Sequence, residues 1–222
     1  TQHKIPDFNK IASGDFNTHK LNIRCKDQRG ISFKSFDINV DTSPPLLKSS
    51  FAFPNPIIEK PSITALIIES DEPAICKFSN SSKEFDKMEG SFEGFDNNAF
   101  KIINKQTITV ENEGSFLYFV ACKNKAELSS GTKEIAFKVD LTVPISIIPH
   151  TPEFFNSTNV VLAIETNKKA QCKFSETDKT AQDGEIFGAP SYSHTRQLTL
   201  AAGKHTFYIV CKDQFLQKFS DV

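Results

Sequence analysis

A six-residue block centred on a cysteine occurs twice in this chain, and that duplication limits the fold more than any other feature. Ala74-Ile75-Cys76-Lys77-Phe78-Ser79 returns as Ala170-Gln171-Cys172-Lys173-Phe174-Ser175, 96 residues further on. The match extends upstream, with Leu66-Ile67-Ile68-Glu69-Ser70 over Leu162-Ala163-Ile164-Glu165-Thr166 and Asn55-Pro56 over Thr151-Pro152. A second block ends at the remaining cysteines. Residues 203–214 align with 114–124 and again with 17–28, placing Cys211, Cys122 and Cys25 at one position of three copies. A fixed period over such a span marks a row of similar units.

The ends of the copies set the boundaries. Strand-like alternation closes in Asn39-Val40-Asp41 and in Lys138-Val139-Asp140, each followed within a few residues by proline, at Pro44-Pro45 and Pro144. Proline there punctuates domain junctions. The period therefore predicts the last strands of a truncated repeat over 1–43, a complete repeat over 44–143, and a repeat over 144–222 that lacks most of its last strand.

Within the complete repeat the patterns are short, strand-like and bounded by Pro, Gly, Asn and Ser, which is the spacing of an all-β sandwich. Strands are expected near 51–53, 62–69, 74–79, 101–104, 107–110, 115–123 and 134–140. No stretch has the three-and-four spacing of a helix. The aromatic content is 21 Phe with three Tyr and no Trp, so the cores must be built from Phe, Ile, Leu and Val. Those residues suit strands.

Charge excludes some functions. The formal net charge is −1, from 26 basic and 27 acidic residues without a basic run, which leaves no electrostatic footprint for nucleic acid. The longest apolar stretches fall far short of the ~20 residues of a membrane span. The chain starts at Thr1 without a leader-like segment, so an export signal is expected to have been removed or to lie elsewhere.

The run 62–74, followed by the Cys-Lys-Phe-Ser strand, resembles the second and third strands of fibronectin type III-like domains. The segment Tyr118-Phe119-Val120-Ala121-Cys122-Lys123 resembles the sixth. The whole pattern is similar to Ig-like repeats of large surface proteins of bacteria and archaea. Where that family carries an aromatic on the second strand, this chain has Ile68 and Ile164. The resemblance puts Cys76 and Cys172 on the third strand and Cys122 and Cys211 on the sixth. It thus implies the disulfides Cys76–Cys122 and Cys172–Cys211, with a partner for Cys25 upstream. Buried free thiols of a cytosolic protein are the alternative reading. Metal ligation by these cysteines finds no Cys-x-x-Cys spacing.

Other candidates are weaker. Asn80-Ser81-Ser82 and Asn156-Ser157-Thr158 are N-glycosylation triplets. Asp41, Asp140, Asp71 and Glu165 sit near junctions and turns and are candidates for calcium, although charged turn residues are more often simply solvated. His19 and His205 are repeat-equivalent and face Phe116 in the other copy, which favours packing. No Gly-x-Ser-x-Gly, His-Glu-x-x-His or phosphate-cradling glycine loop is present, so neither an enzyme nor a cofactor is expected.

The sequence thus reads as an extracellular or cell-surface repeat protein, structural or adhesive: a stalk, or the subunit of a filament or surface layer. Self-association or neighbouring surface proteins are the expected partners. A carbohydrate- or ligand-binding accessory module is the alternative. Donation of residues 31–41 to the strand at 207–211 of another copy is a further possibility for assembly.

Overall fold

The computed structural model describes residues 17–213 apart from Asp27, Lys179 and Gln182. The start of the expected first repeat before Asn17, the side chain of His19, and the last expected strand after Asp213 lie outside the described residues. Thirteen strands follow in order: β1 Asn17–Lys26, β2 Ile31–Val40, β3 Leu47–Phe53, β4 Ile63–Ser79, β5 Gly90–Ser91, β6 Lys101–Thr109, β7 Gly114–Lys123, β8 Lys133–Val139, β9 Ile147–Pro149, β10 Asn159–Ser175, β11 Glu185–Ile186, β12 Ser191–Thr199 and β13 Tyr208–Asp213. Among the described residues a 3-10 turn covers Phe85–Lys87, and there is no α-helix. The protein is all-β, and its sheets are those of β-sandwiches.

By compactness the chain divides into two units. One comprises Thr1–Phe53, Ala65–Ile108 and Phe116–Ala136; the other comprises Pro54–Thr64, Thr109–Ser115 and Phe137–Val222. This division differs from the sequence period, because two segments of the expected middle repeat group with the C-terminal residues.

In the first unit β4 serves two layers. Its first half pairs antiparallel with β3, setting Ala52 against Leu66, and its second half pairs with β7, setting Cys76 against Cys122. The sequence shows two strands here with a turn at Ser70 to Pro73, whereas the backbone runs extended through all 17 residues. The hydroxyl of Ser70, fully buried, donates to the carbonyls of Glu72 and Ile102 and so satisfies the backbone where the strand changes layer. Residues 101–104 and 107–110 likewise merge into β6. Phe85, Met88, Ile75 and Ala121 form a small core under the segment after β4, with Phe95 and Phe100 packed on it.

The unit also contains the ribbon β1–β2, paired over ten residues from Asn17↔Val40 to Lys26↔Ile31. Because β2 is paired with its own chain along its whole length, donation of 31–41 to another copy does not fit this structure.

The second unit repeats the two-layer use of one strand. The first half of β10 pairs with β9 and β12, and the second half with β11 and β13. Its core gathers Ile145, Leu162, Ile164, Phe174 and Phe187 around Cys172 and Cys211. Each such buried side chain contributes about 1.5–3 kcal/mol relative to exposure. Ile164 is 1% exposed and shares a core with Phe174, whose ring packs tilted against Phe187 with centroids 4.8 Å apart.

Disulfides join Cys76 to Cys122 and Cys172 to Cys211, between residues directly opposed across neighbouring strands. They close loops with sequence separations of 46 and 39. The chain-entropy model assigns about 4 kcal/mol to loops of this order.

Candidate functional site

Among the described residues, polar side chains gather at two short connectors, 41–46 and 140–146. Asp41 follows β2, and its Oδ1 accepts the backbone N–H of Ser43 at 3.1 Å, turning the chain toward Pro44. Its other oxygen accepts from Asn124 Nδ2 at 2.7 Å. The same amide nitrogen lies 3.0 Å from the Ser43 carbonyl and 3.1 Å from Glu72 Oε1, while Asn124 Oδ1 accepts from the N–H groups of Ala126 and Leu128. Asn124 is 1% exposed, so every polar atom it buries is matched. Asp71 completes the arrangement by accepting the Leu46 N–H at 2.8 Å and donating its own N–H to the Leu46 carbonyl.

The second connector has the same construction. Asp140 Oδ1 accepts from the N–H and hydroxyl of Thr142, as Asp41 does from Ser43. Asn167, the repeat equivalent of Asp71, accepts the Ser146 N–H at 2.8 Å and donates to the Pro144 carbonyl at 3.1 Å. Lys168 stands at the position of Glu72. Its ammonium, 2% exposed, donates to the Leu141 carbonyl at 3.2 Å and lies 3.8 Å from Asp213, the counterpart of Asn124. Pro45 and Ile145 are the buried apolar anchors of the two connectors. One site is thus an amide among carboxylates and the other an ammonium–carboxylate pair, with the same backbone held in both.

The electrostatics follow from burial. Desolvation pushes the Glu72 carboxyl up, opposed by its hydrogen bond from Asn124 and reinforced by the charges of Asp41 and Asp71. Asp140 is half-buried, and its bonds from Lys138 and then Thr142 hold its carboxyl down to about 2. Glu59, in the second unit, accepts from the Lys169 N–H at 3.0 Å and from the Tyr192 hydroxyl. That second bond is the main reason the Tyr192 phenol is pushed up to about 12.

Of the carboxylates singled out in the sequence, Asp41 and Asp71 come together at one connector. Asp140 stands at the other, and Glu165 lies on β10 beside His150 at 3.2 Å. Among the described residues no group of three His, Cys, Asp or Glu side chains is disposed to hold a metal ion. Asn80 and Asn156 are both exposed. His205 is half-buried and bonded to Glu176 and to the Ala201 carbonyl. Asn124, Lys168 and Asn167 escaped the sequence reading; the signal for them was that polar residues occupy the matched positions 72 and 168, and 124 and 213, in both copies.

A concavity of about 520 Å³ opens in the second unit between residues 151–158 and 200–207. Phe154 and Phe155 project from its rim, 87% and 40% exposed, and Phe207 and His205 line its far wall.

No protein-family model matches this chain, and no curated protein matches it. Among solved structures it is similar to the fibronectin(III)-like modules of CbhA from Clostridium thermocellum, at 15% identity, 80% coverage of this chain and 89% of that one, with a TM-score of 0.31. It is also similar to dimeric latent PorU from Porphyromonas gingivalis, at 9% identity, 92% coverage of this chain and 23% of that one, with a TM-score of 0.27. At these scores neither likeness carries an argument. The fold rests on the strand pairing and the disulfides.

Proposed function

We propose that this chain is a structural or adhesive repeat protein of the cell exterior, a stalk or the subunit of a filament or surface layer, and that it catalyses no reaction. The observation that supports this reading is the twice-built clamp. Short proline-bearing connectors at 41–46 and 140–146 are each held by buried side chains of the sandwich they enter, which suits a device that transmits position rather than one that hinges. The repeats of this device are those of 1–43, 44–143 and 144–222. Two disulfides between neighbouring strands suit an oxidising compartment. No helix among the described residues is long and apolar enough to cross a membrane.

Electron microscopy of native material tests the reading. Filaments or a lattice containing this chain agree with it, and dispersed molecules contradict it. A ligand-binding module is the second reading, favoured by the 520 Å³ concavity and the exposed Phe154 at its rim. Its ligand class is carbohydrate or another small molecule, although a site without tryptophan offers weak stacking to a sugar ring. Saturable binding on a glycan array, lost in Phe154→Ala, distinguishes this reading from the stalk.

A further inference from the structure

The β1–β2 ribbon carries the pattern of a sandwich wall, but Leu21, Ile23, Ile38 and Val40 on it are only half-buried and Phe36 and Cys25 are exposed. Its register places Leu21, Ile23 and Cys25 on one face with Phe36, Ile38 and Val40, and sets Lys34 opposite Ile23 and Ser32 opposite Cys25 on that same face. The repeat carries the same positions into the middle copy, where they are interior: Val120 and Cys122 stand for Ile23 and Cys25 at 0% exposure, and Ile135 stands for Phe36 at 1%. Here Phe36 is 46% exposed and Cys25 is exposed.

The edge of β1 away from β2 is likewise unpaired among the described residues. In both other copies the equivalent strand carries on that edge an antiparallel strand whose cysteine lies directly opposite and is bonded to it, Cys76 to Cys122 and Cys172 to Cys211. The chain's four other cysteines are committed to those two bonds, so none remains for Cys25.

We propose that the free edge and apolar face of β1–β2 are an acceptor site for a cysteine-bearing β-strand from outside residues 1–222, laid antiparallel on β1 with its cysteine opposite Cys25. The intact copies define its chemistry. Two residues to either side of the cysteine it carries small or aromatic apolar groups, as Ala74 and Phe78 flank Cys76 and as Ala170 and Phe174 flank Cys172. Next to the cysteine it carries carboxylates. The register Lys77↔Ala121 and Ile75↔Lys123 transfers to β1 as Arg24 and Lys26 facing the residues just after and just before the incoming cysteine, and like charges in those positions repel.

The bond forms by thiol–disulfide exchange. Cys25 loses its proton to solvent and its sulfur attacks the incoming cysteine, held as a mixed disulfide with a small thiol. The mixed disulfide breaks, and the small thiolate leaves with the electron pair. The inference stands apart from the stalk reading, since an acceptor strand serves a binding module equally well.

The test uses the whole 222-residue chain and a ten-residue peptide of the sequence 70–79 carrying Lys77→Glu, its cysteine capped as a mixed disulfide with 5-thio-2-nitrobenzoate. Release of the coloured thiolate gives the rate, and mass spectrometry gives the cysteine modified. Strand docking raises the local concentration of the two sulfurs, so the peptide reacts about tenfold or more faster than a scrambled peptide of the same composition. The parent peptide with Lys77 falls between them, Phe36→Asp in the protein removes the advantage, and Cys25→Ser removes the adduct. Equal rates for ordered and scrambled peptides overturn the proposal. So do an undiminished advantage in Phe36→Asp, or a Cys25–Cys25 dimer that forms in preference to the peptide adduct.

Discussion

Asn124 and Asp41 are 83 residues apart in sequence, and their side chains meet at 2.7 Å to fix the chain between β2 and β3. The carboxylate turns its own connector through Ser43, and the amide of Asn124 anchors that turn to the end of β7. Replacing Asn124 with Ala leaves the Asp41 and Glu72 carboxylates short of a donor. The expected cost is about 1–3 kcal/mol, the usual penalty for unmatching a buried polar group, read as a lower denaturation midpoint with an unchanged m-value.

At the equivalent place in the second unit the Lys168–Asp213 pair responds differently. Lys168→Met takes the ammonium away from beside the Asp213 carboxylate, which is 3% exposed, and is expected to cost about 3–5 kcal/mol. The double variant Lys168→Met with Asp213→Leu removes both charges and is expected to recover most of that loss. A double-mutant cycle in urea checks the pair, and additive losses would contradict it.

Glu72 is held protonated more readily in the folded chain than in the unfolded one, because burial opposes its charge. The folded state then binds more protons around the ordinary carboxylate range, so this group's contribution falls as pH rises through that range. Glu72→Gln keeps the acceptor for Asn124 and removes the charge. It is expected to raise stability at pH 7 by less than about 1 kcal/mol, because the site is partly hydrated, and to leave it unchanged at pH 3.

Two histidines of the second unit give opposite pH signs. His194 is 3% exposed, with Nε2 3.4 Å from Cys172 Sγ, and burial lowers its pKa below 6.5, so the stability it permits is present above that value and lost as pH falls through it. His205 is raised by the Ala201 carbonyl and then by Glu176, so its contribution is present below 6.5 and lost as pH rises through the raised value. Thermal denaturation between pH 5 and 8 should flatten on the acid side in His194→Leu and on the neutral side in His205→Gln.

Gly184 is required by space. A Cβ there would lie 2.3 Å from the Phe174 carbonyl oxygen, and that backbone is held in β10, whereas a Cβ at Gly188 meets nothing within 4 Å. Gly184→Ala is expected to cost about 1–3 kcal/mol and Gly188→Ala close to nothing, as measured by chemical denaturation.

The cysteine-centred duplication carried the architecture because two copies show cysteine at the same two positions, and a bond between them requires the chain to bring their Cα atoms within about 7 Å. The pairing itself came through the resemblance, and the strand register supplies its geometry. The long strand β4 reads as two in the sequence, since Ser70, Glu72 and Pro73 look like a turn; only the bonds of the Ser70 hydroxyl to Glu72 and Ile102 reveal why the chain stays extended there. The clamps were hidden for a related reason. Asn124, Glu72 and Lys168 are polar residues of kinds that are ordinarily solvated, and their burial depends on partners 27 to 83 residues away that no local pattern announces.

The account depends on two sandwiches, each closed by its own sulfur bridge, with Cys25 left over. Peptide mapping of native, unreduced protein by mass spectrometry measures this directly. Linked peptides Cys76–Cys122 and Cys172–Cys211 are the expected result; free thiols at all four positions, or bonds that cross between the two pairs, would contradict it.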